Sequence, residues 1–244
     1  MIGSIEPKLE SLPPSHPCER CEVRGRALCS VLDCNALGEY KRLGPTLRLS
    51  AGQTLFREGD PATRVFTLTR GSLKLYKILP DGRRQIVGFK FAGDFLGISL
   101  EDEHKFTADL IEDTEFCSFP RNRFAAFLSE HPALEYQLYR FAVPELGAAQ
   151  EQFVLLGRKS ASERVATFLV GLANRMARHG DPQTPIVELP MSRSDIADYL
   201  GLTKETVSRV FSSFRAARWI RFRTMHEVEI LDRATLEQAA EGEA

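Results

Sequence analysis

The 244-residue sequence predicts an α+β protein: an N-terminal β-roll, a long connecting helix and a C-terminal winged helix-turn-helix. Three observations predict it. Between about Leu47 and Phe119, short alternating or apolar runs are separated by turn residues. From Arg121 onward, apolar residues return at helical intervals. Near the C-terminus, Ala197, Gly201 and Val207 fall at the spacing A-x3-G-x5-V between two capped helical segments.

The chain begins with a polar, proline-rich stretch, residues 1–17, carrying Pro7, Pro13, Pro14 and Pro17. Such a composition favours loose order. Four of the five cysteines follow between Cys18 and Cys34. Strands are then expected at 65–68, 72–78, 85–89, 106–110 and 115–119. Turns at Ala51-Gly52, Gly59-Asp60, Pro80-Asp81-Gly82 and Ala92-Gly93-Asp94 separate them. Many short strands with regular glycine turns make a barrel or roll.

Ala142, Leu146, Ala149, Phe153 and Leu156 recur at intervals of 4, 3, 4 and 3, the seam of a two-stranded coiled coil. A helix packed on its own β domain has a similar pattern. Pro144 predicts a kink or a fresh helix start, because proline removes a hydrogen bond and clashes with the preceding turn. Residues 159–178 read as another amphipathic helix, with Val165, Phe168, Leu169 and Leu172 on one face, followed by a loop at 179–185.

The helix-turn-helix occupies residues 192–216. Ser192 suits an N-cap, Gly201-Leu202 makes the turn, and Thr203 caps a second helix ending near Ala216. Ala197 lets the helices cross, Gly201 permits the tight turn and Val207 packs between them. Glu205, Ser208 and Arg209 share one face near the start of the second helix. In recognition helices that end enters the major groove, where Arg reads guanine and Glu reads cytosine. Thr203 and Arg193 complete the candidate DNA-contacting set. The competing reading is a solvated surface with an internal Glu205–Arg209 ion pair. Residues 219–222 and 228–231 read as a β-hairpin wing, with Arg221 and Arg223 available for phosphates. From Arg158 to Met225 the chain carries twelve Lys/Arg against six Asp/Glu, although the whole protein has a net charge of −1. That segregation suits binding to double-stranded DNA.

Composition excludes several classes. Hydrophobic residues at 43% and charged residues at 27% are ordinary for a soluble globular chain. No apolar run approaches the ~18–20 residues of a membrane span, and no secretory signal precedes the cysteines. The expected location is therefore the cytoplasm, where thiols stay reduced. His16, His104, His131, His179 and His226 are scattered, and no phosphate loop, nucleophile motif or 2-His-1-carboxylate set is visible. An enzyme is not expected.

The order of parts resembles the CRP/FNR superfamily of bacterial transcription regulators over nearly the whole chain. The resemblance implies a cupin-like β-roll of the cyclic-nucleotide-binding type. The string Gly201-Leu202-Thr203-Lys204-Glu205-Thr206-Val207-Ser208-Arg209 resembles the FNR branch, whose recognition pattern is E-x2-S-R. That branch implies an activator working as a homodimer on a palindrome with half-sites close to TTGAT. It also implies contact with RNA polymerase, for which loop 79–84 is a candidate. The segments are then a cysteine-rich, cluster-binding stretch (1–40), a β-roll sensor (41–130), a dimerisation helix (131–158) and a DNA-binding domain (159–244). Where cyclic-nucleotide members hold phosphate with a G-E…R-[ST]-A cassette, this chain has Gly93-Asp94-Phe95-Leu96-Gly97 and then Lys105-Phe106-Thr107-Ala108. The phosphate-clamping arginine is missing, so no cyclic nucleotide is expected.

Cys18-x2-Cys21-x7-Cys29 and the distant Cys117 can supply four thiolates to a [4Fe–4S] cluster, and zinc accepts four thiolates equally well. Cys34 could substitute as the third ligand. Cys117 taken alone reads as a small buried hydrophobe. The FNR resemblance implies an oxygen-labile [4Fe–4S] cluster on Cys18, Cys21, Cys29 and Cys117, with dimerisation and DNA binding when it is intact. The alternative is a regulator of the same fold sensing haem or another small molecule, its cysteines structural or zinc-binding.

Overall fold

The computed structural model describes residues 16, 18–97, 101–179 and 186–242. These divide into two compact units, one built from the chain before Ile78 with Val87–Leu146, the other from Ile78–Ile86 and the chain from Gly147. Except for His16, the proline-rich start lies outside the described residues, as does the expected loop after His179.

The first unit is built on short strands: β1 (Thr46–Leu49), β2 (Thr54–Phe56), β3 (Arg64–Arg70), β4 (Ser72–Ile78), β5 (Arg84–Phe91), β6 (Phe95–Leu96), β7 (Thr107–Leu110) and β8 (Thr114–Pro120). They form two four-stranded sheets, ordered β1-β8-β3-β6 and β2-β7-β4-β5. Alternation sends Thr114, Phe116 and Ser118 of β8 to the inner face. There Phe116 meets Phe66, Leu68 and Leu96 from its own sheet and Leu73, Ala108 and Leu110 from the other. Each such large side chain removed from water contributes about 1.5–3 kcal/mol. The five strands expected from the sequence are present within one or two residues at each end. β1, β2 and β6 are four, three and two residues long, too short to show a period.

The cysteine-rich segment closes one end of this unit. A single 3-10 turn (Leu28–Val31) leads to α1 (Cys34–Arg42), whose N-cap Asp33 accepts from the Ala36 amide at 2.9 Å. Leu28, Leu37 and Tyr40 pack with Phe119 of β8, Phe124 and Phe127 of α2 (Arg121–Glu130), and Leu134. Gly44 follows α1 where a Cβ would lie only 1.9 Å from the Ser118 carbonyl oxygen. Only glycine lets the end of α1 run directly against β8.

Helix α3 spans Pro132–Arg158 without interruption, with Pro144 inside it. The fresh start expected at Pro144 does not occur. Proline forfeits one i→i−4 bond, and the remaining bonds of a 27-residue helix carry the chain past it.

The second unit is organised on α4 (Ala161–His179), which buries Val165, Phe168, Leu169 and Leu172 as the periodicity predicts. Packed with it are α5 (Arg193–Leu200), α6 (Lys204–Ala216) and a sheet ordered β10-β11-β9. The wing strands β10 (Ile220–Phe222) and β11 (Glu227–Ile230) pair antiparallel as expected. Two elements were not foreseen: β9 (Ile186–Glu188), which adds a third strand, and α7 (Arg233–Glu241), whose Leu236, Ala239 and Ala240 are buried. No helix among the described residues is long and apolar enough to cross a membrane.

Candidate nucleic-acid interface and thiol cluster

The helix-turn-helix geometry follows from local chemistry. Ser192 Oγ accepts from the Asp195 amide at 3.1 Å, while Asp195 Oδ2 accepts from the Ser192 amide at 3.2 Å, a reciprocal capping box. Gly201 ends α5 in the left-handed region at φ 62°, where a side chain is strained. Thr203 Oγ1 then caps α6 by accepting from the Thr206 amide at 3.2 Å. Ile196, Ala197 and Val207 are buried between the helices.

That frame leaves Thr203, Glu205, Ser208 and Arg209 exposed on the first turns of α6. Ser208 Oγ donates to the Lys204 carbonyl at 2.9 Å, and Arg209 donates to Thr206 Oγ1 at 3.2 Å. Both bonds lie at the protein surface and can exchange for base contacts. Arg193 has a different setting: its guanidinium lies 4.1 Å from the Phe211 ring centre and 5.0 Å from that of Phe222. It therefore braces α5 against α6 and the wing. Arg193, Lys204, Ser208 and Arg215 line one groove of about 600 Å³, which Arg223 also borders.

Arg221 and Arg223, expected to be available for phosphates, are both engaged. Arg221 donates to Glu229 Oε2 at 2.7 Å and Arg223 donates to the same oxygen at 2.9 Å. Their hydrogen bonds hold the Glu229 carboxyl below its ordinary pKa. The register Arg221↔Glu229 explains the first pair, since the two residues are directly opposite across the wing.

Sequence reasoning missed Arg84. Within the second unit its guanidinium donates to Asp198 Oδ2 at 2.8 Å and Asp195 Oδ1 at 2.7 Å. The end of loop 79–84 is thereby tied to α5, and nothing in the local sequence signals it.

Ala142, Leu146, Ala149 and Phe153 are exposed, whereas Leu156 is half-buried with Cδ2 3.2 Å from where a Cβ on Gly201 would stand. Tyr136, Tyr139 and Val143 are also exposed and continue the stripe toward the start of α3. Tyr139 lies one heptad before Leu146 and so on the seam itself, while Tyr136 and Val143 flank it.

All five cysteines are free and pack on one apolar cluster in the first unit. Cys18, Cys21 and Cys117 line a groove of about 600 Å³. Burial pushes the Cys18 thiol up to about 11, with Cys117 and Cys21 adding to the rise and Lys41 opposing it. Burial likewise pushes Cys29 up to about 12, with Cys21, Cys18 and Cys117 adding. Cys21 is raised by burial and by Cys117. Cys18, Cys21 and Cys29 are thus all raised, burial being the largest cause and the neighbouring thiols adding to it. Cys34 opens α1 against the same cluster. Cys117, in β8 and half-buried, accepts from Lys41 Nζ at 3.2 Å.

The donor set fits an iron–sulfur cluster. Cys18, Cys21 and Cys117 face one groove and Cys29 packs on the same apolar cluster, and soft thiolate sulfurs are the ligands such a cluster takes. Among the described residues no three His, Cys, Asp or Glu side chains are already grouped to hold one ion. A multi-iron cage spans a wider gap than a single ion does.

A cavity of about 400 Å³ in the first unit is lined by Phe56, Leu75, Lys90, Asp94 and Phe106, among others. Of its lining cations, Lys90 is paired with Glu145 and Lys105 with Glu101. Asp94 closes the β5–β6 turn by accepting from the Phe91 amide at 2.9 Å.

Comparison with known proteins bears on both units. Residues 163–239 match the family described as Crp-like helix-turn-helix domain, and residues 46–131 match the cyclic nucleotide-binding domain. The nitrogen fixation regulation protein FixK of Bradyrhizobium diazoefficiens is 48% identical over 201 residues, covering 82% of this chain and 84% of that protein. The transcriptional activator protein Anr of Pseudomonas aeruginosa is 36% identical and covers 97% of both chains. The solved structure of FixK2 from Bradyrhizobium japonicum superposes with a TM-score of 0.74 at 33% identity, covering 80% of this chain and 96% of that one.

Proposed function

This chain belongs to the CRP/FNR family of transcription regulators, and from that premise we propose that it is an FNR-type activator controlled by oxygen. It is a DNA-binding regulator and not an enzyme. The finer reading is that Cys18, Cys21, Cys29 and Cys117 hold a [4Fe–4S] cluster in a cytoplasmic homodimer. The observation that carries it is the gathering of these four free thiols, from two distant stretches of the chain, on one apolar cluster, with Cys18, Cys21 and Cys117 lining one groove. When bound, the cluster supplies a centre that dioxygen destroys.

The chain's own residues do the rest. The thiols anchor the cysteine-rich segment to β8 and the apolar cluster that includes Leu134 of α3. That links metal occupancy to the helix whose stripe, including Leu146 and Phe153, pairs with a second copy. Pairing presents two α6 helices to a palindrome of TTGAT-like half-sites, about one turn apart. Glu205, Ser208 and Arg209 read bases, and Thr203 and Arg193 sit beside them. A bias of a few kcal/mol between two states suffices for such a switch. Loop 79–84 is the proposed contact with RNA polymerase, made by the residues before the engaged Arg84.

A second reading draws on the 400 Å³ cavity, which is in the range of small-molecule sites. In it, haem or an organic effector is sensed there and the cysteines are structural or bind zinc. Replacing Cys117 with Ser separates the two. Loss of iron together with loss of oxygen-dependent DNA binding supports the cluster. Unchanged regulation supports the effector.

A further inference from the structure

We propose that Lys41 is a positioning residue for the iron–sulfur cluster: its ammonium, held by Thr46, donates to the Cys117 sulfur, orients that ligand and slows loss of the metal. The proposal rests on the cluster reading above. Lys41 Nζ donates to Cys117 Sγ at 3.2 Å and to Thr46 Oγ1 at 2.8 Å, across 76 and five residues of sequence respectively.

The fold builds this contact deliberately close. Lys41 lies in the last turn of α1, where a cation is favoured by the helix dipole. Gly44 then brings the chain against Ser118, and the Ser118 amide donates to the Pro45 carbonyl at 3.1 Å. In the β1–β8 ladder Thr46 is the direct partner of Cys117. The two groups that accept from Lys41 are thus one register pair, and Thr46 fixes the ammonium beside the sulfur.

A ligating cysteine is a thiolate, and a cationic donor makes the stronger, charge-assisted kind of hydrogen bond to it. Three further thiolates at the same centre add negative charge, so the ammonium offsets repulsion as well as orienting one ligand. Arg20, Arg48 and Arg70 line the same groove, and Arg48 is paired with Glu115 at 2.8 Å. Lys41 reaches a sulfur itself. Hydrogen bonds on ligand sulfurs tune such centres, and outer partners of metal ligands are worth about 10–100-fold in metal affinity.

The test compares wild type, Lys41→Met, Lys41→Arg and Thr46→Val, all purified without air. Iron and sulfide per chain are measured, then the rate at which a ferrous chelator removes iron under argon. Lys41→Met is expected to release iron about tenfold faster, Thr46→Val to fall between, and Lys41→Arg to stay close to wild type. A purely steric role for Lys41 does not predict rescue by arginine. Equal release rates from all four cluster-loaded proteins overturn the proposal and leave the cluster reading standing. If Lys41→Met does not fold, unchanged release from folded Thr46→Val overturns it. A wild type without iron or colour overturns the cluster reading, and this proposal with it.

Discussion

The guanidinium of Arg193 stacks 4.1 Å from the centre of the Phe211 ring, joining the first helix of the helix-turn-helix to the second. Phe222 of the wing takes its other contact at 5.0 Å. Arg193→Ala is expected to cost about 1 kcal/mol, the range of a partly desolvated cation–π contact. Thermal unfolding followed by fluorescence of Trp219, the single tryptophan, measures it. Unaltered stability with weakened DNA binding assigns Arg193 to DNA alone.

Arg209 behaves in the opposite way. Its side chain is exposed and donates to Thr206 of its own turn. Arg209→Ala is expected to leave the melting temperature unchanged. It weakens binding to the preferred palindrome by about 1–3 kcal/mol and relaxes the choice at one base pair. Competition binding against sites mutated one position at a time checks both.

Gly201→Ala tests the turn. The residue sits at φ 62°, and a Cβ there meets Leu156 Cδ2 at 3.2 Å. A left-handed alanine costs about 1–2 kcal/mol, and the contact with Leu156 adds to it. Urea unfolding monitored at Trp219 is expected to shift by at least that amount.

Phe153→Asp tests the seam. Phe153 is 74% exposed and Leu146 is 63% exposed, so a charge at residue 153 leaves the fold of the single chain intact. Sedimentation of the anaerobic protein is expected to show a monomer and DNA binding is expected to fall. A dimer that survives the change places the interface elsewhere.

The metal-free protein is expected to lose stability in alkali. Burial raises Cys18 and Cys29 from the ordinary thiol value of 9.0 to about 11 and about 12. Buried Tyr40 is raised as well. The folded state therefore keeps protons that the unfolded state gives up. This stability is full below pH 9 and falls as pH rises from 9 through the folded values. Urea midpoints along that window measure the slope, and Cys29→Ser should make it shallower.

What was legible in the sequence was local. Ser192, Asp195, Gly201 and Thr203 act on neighbours three or four residues away, so caps and turn could be read directly. The length of β4 and the buried face of α4 were equally plain, because both rest on periodicity. Lys41 and Cys117 are 76 residues apart, and Arg84 lies more than 100 from Asp195. No spacing rule reaches that far. Arg221 and Arg223 were read by residue type, whereas the hairpin register hands both to Glu229. Helix α7 shows its helical spacing over a single turn, Leu236, Ala239 and Ala240, two of them small alanines that mark a buried face weakly, and β9 has three residues, too few for any period.

The central claim joins the thiol cluster to the recognition helix. Its most direct test is one anaerobic sample in which the visible spectrum and affinity for a TTGAT-type palindrome are followed together as air is admitted. The account predicts a coloured, iron-containing protein that binds the palindrome, and that loses colour and affinity in step. A colourless, iron-free protein that binds equally well with and without air would contradict it.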